Sequence, residues 1–303
     1  MVPMALILSA AVFWLIHGFL GDPAVLMLGR EADPETAQRL RHDLGFDRPL
    51  YAQYVDWLSH TARGDLGRSI RNREPVSQAL GQRLAVTGEL TLFAMALAFV
   101  SALALGTAAA VRYGRPTDFA VSSFCIVGVT LPNFMLGITL IFLFSLSLRW
   151  LPSGGYTPLL THPAENLRLM ILPTMTLSLA YIGVFSLVLK SSLRRTLHAA
   201  YVQTARAKGI VERRVLFRHA LRNSLIPFLS ILGVEVGRLF GGAVITESVF
   251  ALPGIGRLLL DSILGRDFPV IQAVVVLMTF GVLIVNLCVD LTYAWLDPRV
   301  SYD

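Results

Sequence analysis

The sequence contains little charge. Only 15% of its 303 residues are charged, against about 25% in an ordinary soluble domain, whereas 54% are hydrophobic. A soluble chain of this length needs a polar surface, and this composition does not supply one. Disordered chains are also excluded, since they are rich in charge and poor in apolar residues. The composition therefore indicates an integral membrane protein.

Residues with the spacing of metal or catalytic sites are equally scarce. The only two cysteines, Cys125 and Cys288, both lie in apolar stretches, which favours buried thiols over a disulfide. The six histidines include no pair at the spacing of H-x-x-x-H, so we expect no metal site. No phosphate-binding loop of the form G-x-x-x-x-G-K-[ST] occurs, and no Ser/His/Asp arrangement can be argued. We expect a protein that is not an enzyme and that holds no cofactor in this chain.

Apolar residues form six long blocks. Each is long enough for a helix to cross about 30 Å of hydrocarbon, and only the fifth block contains charges. The alternating strands of about ten residues that a membrane β-barrel needs are not seen. We predict an all-α integral membrane protein with six transmembrane helices. The predicted spans are residues 1–20, 90–111, 119–148, 169–189, 223–246 and 268–289.

Positive charge is concentrated between spans four and five. Residues 190–222 hold nine Lys or Arg and one acid, Glu212, a net charge of +8. Basic loops stay in the cytoplasm, so this loop and the 112–118 loop are predicted to be cytoplasmic. With six spans, both termini and the tail 290–303 are then cytoplasmic as well. No signal-peptide pattern is recognised, so residues 1–20 are read as a retained span.

Two segments are predicted to lie outside the membrane on the opposite face. Residues 21–89 predict a small helical segment between spans one and two, either a docking surface or lid, or a structural extension. The loop 247–267 contains helix-breaking residues, and it predicts either an outer gate or an interfacial structural element. The residues that would form this gate are Phe250, Pro253, Gly254 and Gly256.

The basic loop has an internal pattern. Residues 201–209 predict a helix with small residues on one side, ended by Gly209, and residues 212–221 predict a second helix with an apolar stripe. Such a loop could bind anionic lipid or nucleic acid. Two short helices around a glycine are more typical of a unit that docks in a groove on a protein partner.

Span five carries polar and small residues. Glu235 and Arg238 are three residues apart and share a helix face, so they either line the translocation pathway or form a structural pair. Glycines repeat every four residues on the same span, a pattern that allows another helix to approach closely. The approaching helix belongs either to a partner permease or to this subunit. These glycines are Gly233, Gly237 and Gly241. Pro132, Pro173 and Pro227 lie in or beside spans and predict kinks.

The 201–222 loop resembles the coupling loop of ABC importer permeases, and several further motifs resemble the dipeptide, oligopeptide and nickel permease subunits. The resemblance is closest to the first of the two permeases in such systems, and it runs from residue 2 to the end. The matching motifs are Thr204-Ala205-Arg206-Ala207-Lys208-Gly209, Arg218-His219-Ala220-Leu221-Arg222-Asn223, Gly64-Asp65-Leu66-Gly67-Arg68-Ser69, Trp150-Leu151-Pro152 and Arg266-Asp267-Phe268-Pro269.

The resemblance implies a Type I ABC importer permease fold in a bacterial-type inner membrane. Besides the lipid bilayer, it implies three kinds of protein partner: a second related permease, two ATPase subunits that carry ATP and Mg²⁺, and an extracytoplasmic substrate-binding protein. It implies no nucleic acid partner. The ATPase-coupling residues would be Gln203, Thr204, Ala205, Arg206, Ala207, Lys208, Gly209 and Leu221.

The implied cargo is a di- or oligopeptide, and two alternatives remain. The same architecture could carry nickel or another small ligand. An ion-gradient-driven secondary transporter is also possible from composition alone, although that class tends to show inverted repeats and several membrane-centre carboxylates. No internal repeat is found, and Glu235 is the only carboxylate well inside a span.

Overall fold

The computed structural model describes residues 2–19, 33–43, 45 and 47–296, and within them the chain is helical. The predicted all-α fold class is confirmed. The helices are α1 (Val2–Phe19), α2 (Pro34–Asp43), α3 (Leu50–Ala62), α4 (Val76–Val111), α5 (Pro116–Thr130), α6 (Asn133–Leu140), α7 (Pro163–Leu197), α8 (Ala200–Ala207), α9 (Glu212–Arg214), α10 (Arg222–Val249), α11 (Ile255–Leu264) and α12 (Phe268–Leu296), with π-helical segments at Ile141–Ser147 and Val215–Leu221.

Four stretches of the described chain are long and apolar enough to cross a membrane, or five if the bent pair α5–α6 counts as one span. The four are α4, α7, the helix from Glu212 to Leu239, and Phe268–Cys288 of α12. The remaining predicted span, residues 1–20, falls on α1, an 18-residue apolar helix. The count of six stays a prediction. Residues 21–32 of the outer segment and 297–303 of the tail lie outside the described residues.

The predicted span 119–148 differs from the structure, because it is a bent pair of helices. The segments Pro116–Thr130 and Asn133–Ser147 are bent by 105°. Leu131, between them, is extended at φ −71° and ψ 127°, the conformation that the ring of Pro132 favours for the residue before it. Pro173 and Pro227, by contrast, lie inside α7 and α10.

The cytoplasmic loop also differs from the prediction of two separate short helices. Helix α7 continues to Leu197, so residues 190–197 belong to it. The second predicted helix, 212–221, has no break before span five. Residues Glu212–Arg214, the π-helical segment Val215–Leu221 and α10 follow one another without an intervening residue. Likewise, α4 runs across the predicted boundary at residue 89.

The chain divides into two compact units. The first consists of Met1–Val86 and Gly254–Leu283, and the second of Thr87–Pro253 and Ile284–Asp303. In the first unit, Val76 and Leu80 pack with Ile255, Val270 and Val274 to form an apolar core.

A buried carboxylate joins two of the sequence motifs in the first unit. Asp267, only 5% exposed, accepts hydrogen bonds from the Ser69 hydroxyl and from the Ile70 backbone N–H, the latter at 3.1 Å. A buried charge is tolerated only when hydrogen bonds replace its hydration. The Gly64–Ser69 and Arg266–Pro269 motifs therefore meet at one structural contact.

Glycines bring the membrane helices of the second unit close together. A Cβ built on Gly183 of α7 would lie 2.5 Å from the Cys125 carbonyl oxygen and 2.7 Å from Val129 Cγ2, both on α5. On the other side of this contact, a Cβ on Gly128 would lie 3.1 Å from the Leu179 carbonyl oxygen. Since lipid does not drive apolar helices together, such close backbone packing is a main source of helix association.

We expect Gly183→Ala to destabilise this pair of helices by about 1–3 kcal/mol, the usual effect of overpacking, because the Cys125 carbonyl oxygen is part of the backbone and cannot rotate away. The measurement is the thermal unfolding midpoint of the purified protein in detergent. Gly88→Ala in α4 is the matched control, because its Cβ would meet nothing within 4 Å. This control should be neutral or slightly stabilising. Equal midpoints for the two variants would contradict the tight contact.

Candidate functional site

The coupling segment, residues 200–221, is held together by its own small core. Val202 and Ala205 of α8 are buried against Val215 of the π-helical segment, with Ile210 covering them. The spacing of Val202 and Ala205 places them on one face of α8. The remaining face of α8 is exposed.

The turn after α8 is a Schellman motif, the glycine-dependent way to end a helix. The Ile210 N–H donates to the Ala205 carbonyl at 3.3 Å, and the Gly209 N–H donates to the Arg206 carbonyl at 2.9 Å. Gly209 has φ +75°, and a Cβ there would meet nothing within 4 Å. Glycine is therefore favoured at this position by backbone conformation and not by lack of space.

A bidentate ion pair closes the coupling segment. Arg206 Nη2 lies 2.6 Å from Glu212 Oε1, and Nε lies 3.0 Å from Oε2. These hydrogen bonds lower the pKa of the Glu212 carboxyl and raise the pKa of Arg206. Arg206 Nη1 also donates to the Leu197 carbonyl at 3.2 Å, at the end of α7. One guanidinium thus joins α7, α8 and α9.

Apart from Ala205, Arg206 and Gly209, whose contacts are given above, the predicted coupling residues separate into two groups. Gln203, Thr204, Ala207 and Lys208 are exposed on α8 and its end. Leu221 lies elsewhere, packed with Ala110, Leu193 and Ala220 where the segment meets the membrane helices. Glu212 was not among the predicted site residues. The signal that could have found it is its position as the only acid in the basic loop.

A second exposed surface of the coupling segment was missed by sequence reasoning. Val211 and Phe217 are 73% and 55% exposed. Together with Arg213, Arg214 and Arg218 they line an open cleft of about 510 Å³. Exposed apolar side chains bordered by arginines are typical of protein interfaces.

Glu235 and Arg238 form the ion pair that their spacing predicts, with Arg238 Nη1 donating to Glu235 Oε1 at 3.0 Å. The Glu235 side chain is 9% exposed, whereas that of Arg238 is 73% exposed. The carboxylate is therefore part of the interior, and it orients a guanidinium that lies on the surface of α10.

The glycine repeat of α10 runs from the interior to the surface of this chain. Gly233 is buried, Gly237 is half-buried and Gly241 is exposed. A Cβ on Gly241 would meet nothing within 4 Å, whereas a Cβ on the adjacent Gly242 would lie 3.1 Å from Leu177 Cδ1 of α7. The close helix contact within this unit is therefore made by Gly242, and the side of Gly241 is open.

Phe250, a predicted gate residue, is fully buried and anchors the loop before α7. A Cβ on Gly154 would lie 2.2 Å from the Phe250 carbonyl oxygen, and the Gly155 N–H donates to the same oxygen at 3.1 Å. In this loop the Tyr156 hydroxyl donates to Glu89 Oε2 at 3.0 Å. Burial and this bond raise the pKa of Tyr156 to about 12.

The other predicted gate residues are divided between the units. Pro253 is the last residue of the first segment of the second unit, and Gly254 is the first residue of the second segment of the first unit. Gly254 is the N-cap residue of α11, and Gly256 is buried within that helix. Within the described part of the chain, no group of three or more His, Cys, Asp or Glu could hold a metal ion.

The long apolar helices, with the exposed helix α8 attached to two of them, define a membrane protein with several spans. Comparison with known families agrees. The model for binding-protein-dependent transport system inner membrane components matches residues 102–302, and the model for the N-terminal part of such components matches residues 1–91. The chain belongs to this family of transport permeases, which are not enzymes.

Relatives in several bacteria match almost the whole chain. A peptide transport system permease protein of Brucella suis is 41% identical over 302 residues, covering 100% of this chain and 96% of the relative. A peptide ABC transporter permease protein of Sinorhizobium fredii is 39% identical over 291 residues, or 96% and 93% of the two chains. The glutathione transport system permease protein GsiC of Salmonella choleraesuis is 39% identical over 302 residues, or 100% and 96%.

Substitution of Gly209 should loosen the coupling segment through the backbone alone. Gly209→Val places a β-branched residue at a positive φ. This conformation costs a residue that has a Cβ about 1–2 kcal/mol. Gly209→Asn is the matched control, since asparagine tolerates this conformation. We expect amide hydrogen exchange across residues 200–212 to be faster in Gly209→Val than in Gly209→Asn. The same rate in both variants would show that the turn does not depend on its left-handed residue.

Proposed function

We propose that this chain is a permease subunit of an ATP-driven importer that forms half of the pathway for peptides delivered by a substrate-binding protein. Family membership supports the permease role, and the relatives named for peptide and glutathione transport support the cargo. A second related permease completes the pathway, and two ATPase subunits bind ATP and Mg²⁺. The chain spans the inner membrane several times, with the coupling segment and both termini in the cytoplasm.

The observation that carries the coupling role is how the coupling segment is attached. Arg206 connects α8 to the end of α7, and Glu212 begins a helix that continues without a break to Val249. A force on α8 therefore reaches two membrane helices without passing through a flexible loop. We place the exposed residues Gln203, Thr204, Ala207 and Lys208 in a groove of an ATPase subunit.

Arg238 is the proposed pathway residue. An exposed guanidinium on an apolar helix is costly in lipid, so it is expected to face water or a partner. Glu235 holds the Arg238 guanidinium from the buried side. The outward N–H donors of Arg238 suit the terminal carboxylate of a peptide. Gly241 lies three residues further along the same helix and offers an open face for close approach of the second permease.

The function is tested by uptake of labelled di- and oligopeptides and glutathione in cells with and without this gene. A protonophore that leaves ATP intact is present throughout. We expect gene-dependent uptake that resists the protonophore. Uptake that collapses with the gradient would instead identify a secondary transporter. Gene-dependent uptake of nickel without uptake of any peptide would reject the peptide cargo and keep the architecture.

The pathway assignment predicts different results for two substitutions of one residue. Arg238→Gln removes the charge and should lower peptide uptake by about ten- to a hundredfold, the usual effect of losing a charged hydrogen bond. Arg238→Lys keeps the charge and should retain a larger part of the uptake. Copurification of the ATPase subunits should not change in either variant. Normal uptake with Arg238→Gln would remove Arg238 from the pathway.

A further inference from the structure

A basic cleft lies at the cytoplasmic end of α7 and takes no part in the coupling contacts described above. Its volume is about 700 Å³, and all of its lining residues belong to the second unit. Its polar lining residues are Tyr113, Lys190, Ser191, Arg194, Arg195 and His198. Leu187 supplies an apolar wall on the side of the membrane span.

Two of the cations of this cleft, Lys190 and Arg194, are held in place before any ligand binds. The Arg194 guanidinium lies 3.1 Å from the centroid of the Tyr113 ring, and such stacking leaves the N–H donors at its edge free to bind outward. Lys190 pairs with Asp118 and donates to the Ser122 hydroxyl at 2.8 Å. Fixed side chains lose little conformational entropy on binding.

The charge of the cleft is not balanced. Asp118 offsets the charge of Lys190. Neither Arg194 nor Arg195 forms an ion pair among the residues that the structure describes. The two positive charges of Arg194 and Arg195 therefore remain beside the Ser191 hydroxyl. This set of donors is suited to a phosphate group, which arginine binds through two parallel hydrogen bonds.

The cleft lies where the apolar part of the chain ends. The charge-free run 169–189 stops one residue before Lys190, and α4 ends at Val111, two residues before Tyr113. Tyrosine and arginine at the end of a membrane helix are typical of the headgroup level. A free phosphate ion would gain nothing from the apolar wall at Leu187, whereas the glycerol and upper acyl chain of a lipid would.

We propose that this cleft binds the phosphate of an anionic phospholipid in the cytoplasmic leaflet. Arg194 and Arg195 contact the phosphate, Ser191 donates a further hydrogen bond, and Tyr113 positions Arg194. The binding depends on the position of the chain in the membrane and not on the identity of its cargo. The cleft shares no lining residue with Arg238 or with the exposed face of α8.

The test measures phospholipid bound to the intact transporter purified in mild detergent. Native mass spectrometry counts bound phosphatidylglycerol, with phosphatidylcholine as the zwitterionic comparison. The variant Arg194→Gln/Arg195→Gln removes the two unbalanced charges. The control Arg112→Gln/Arg115→Gln removes two charges beside the cleft, from residues that do not line it. A parallel sample contains excess inorganic phosphate.

We expect the cleft variant to bind phosphatidylglycerol about thirtyfold more weakly, since each basic residue near a membrane surface contributes about 1 kcal/mol. The control should bind like the unmodified protein, and inorganic phosphate should not displace the lipid. If the double variant does not assemble, the exposed Arg195→Gln carries the test with a loss of about fivefold.

Four results would overturn the proposal. They are unchanged binding in the cleft variant, equal loss in the control, equal binding of phosphatidylcholine, and displacement by inorganic phosphate. The last of these would identify a site for free phosphate in place of a lipid. Because the readout is bound lipid, the result does not depend on whether peptide uptake is observed.

Discussion

Backbone polar groups that lie in hydrocarbon must find their hydrogen-bond partners within the protein, and the architecture of this chain depends on that constraint. Its long helices, α4, α7, α10 and α12, satisfy it internally. The break at Leu131 and Pro132 leaves backbone groups without helical partners, so it belongs in a protein interior or a water-filled cavity. In this chain Leu131 is half-buried and Pro132 is exposed, so we expect the break to face water or a partner subunit and not lipid.

The exposed coupling segment follows a different rule, because water can satisfy its backbone and side chains must define its shape. Arg206 does so for the coupling segment by contacting both Glu212 and the Leu197 carbonyl. The apolar contact of Val202 and Ala205 with Val215 forms the core of this small unit, and the exposed Arg206–Glu212 pair fixes the geometry with which the turn closes. Family membership and this attachment are the grounds on which the segment is proposed to act as a mechanical connection.

Much of the fold could be predicted from the sequence, because hydrophobic blocks report directly on membrane helices. The end of α8 at Gly209 and the pair Glu235–Arg238 also follow from local patterns. The bend at Pro132 and the merger of residues 212–221 with α10 could not be derived in the same way. Whether a proline breaks a helix, as Pro132 does, or is accommodated, as Pro173 is, depends on neighbouring helices. Phe250 is predicted to be a gate residue from the helix breakers near it, and its contact with Gly154 could not be derived from the sequence.

The unbroken helix from Glu212 to Val249 has a consequence for how this chain can change over evolution. Each helical residue turns the following ones by about 100°. One residue inserted between Leu221 and Glu235 would leave both ends locally intact. It would nevertheless rotate Arg238 and the open side of Gly241 by more than a quarter turn relative to α8. The number of residues in this stretch therefore sets the rotation of Arg238 and Gly241 about the helix axis relative to α8. We expect substitutions to be tolerated there far more readily than insertions or deletions.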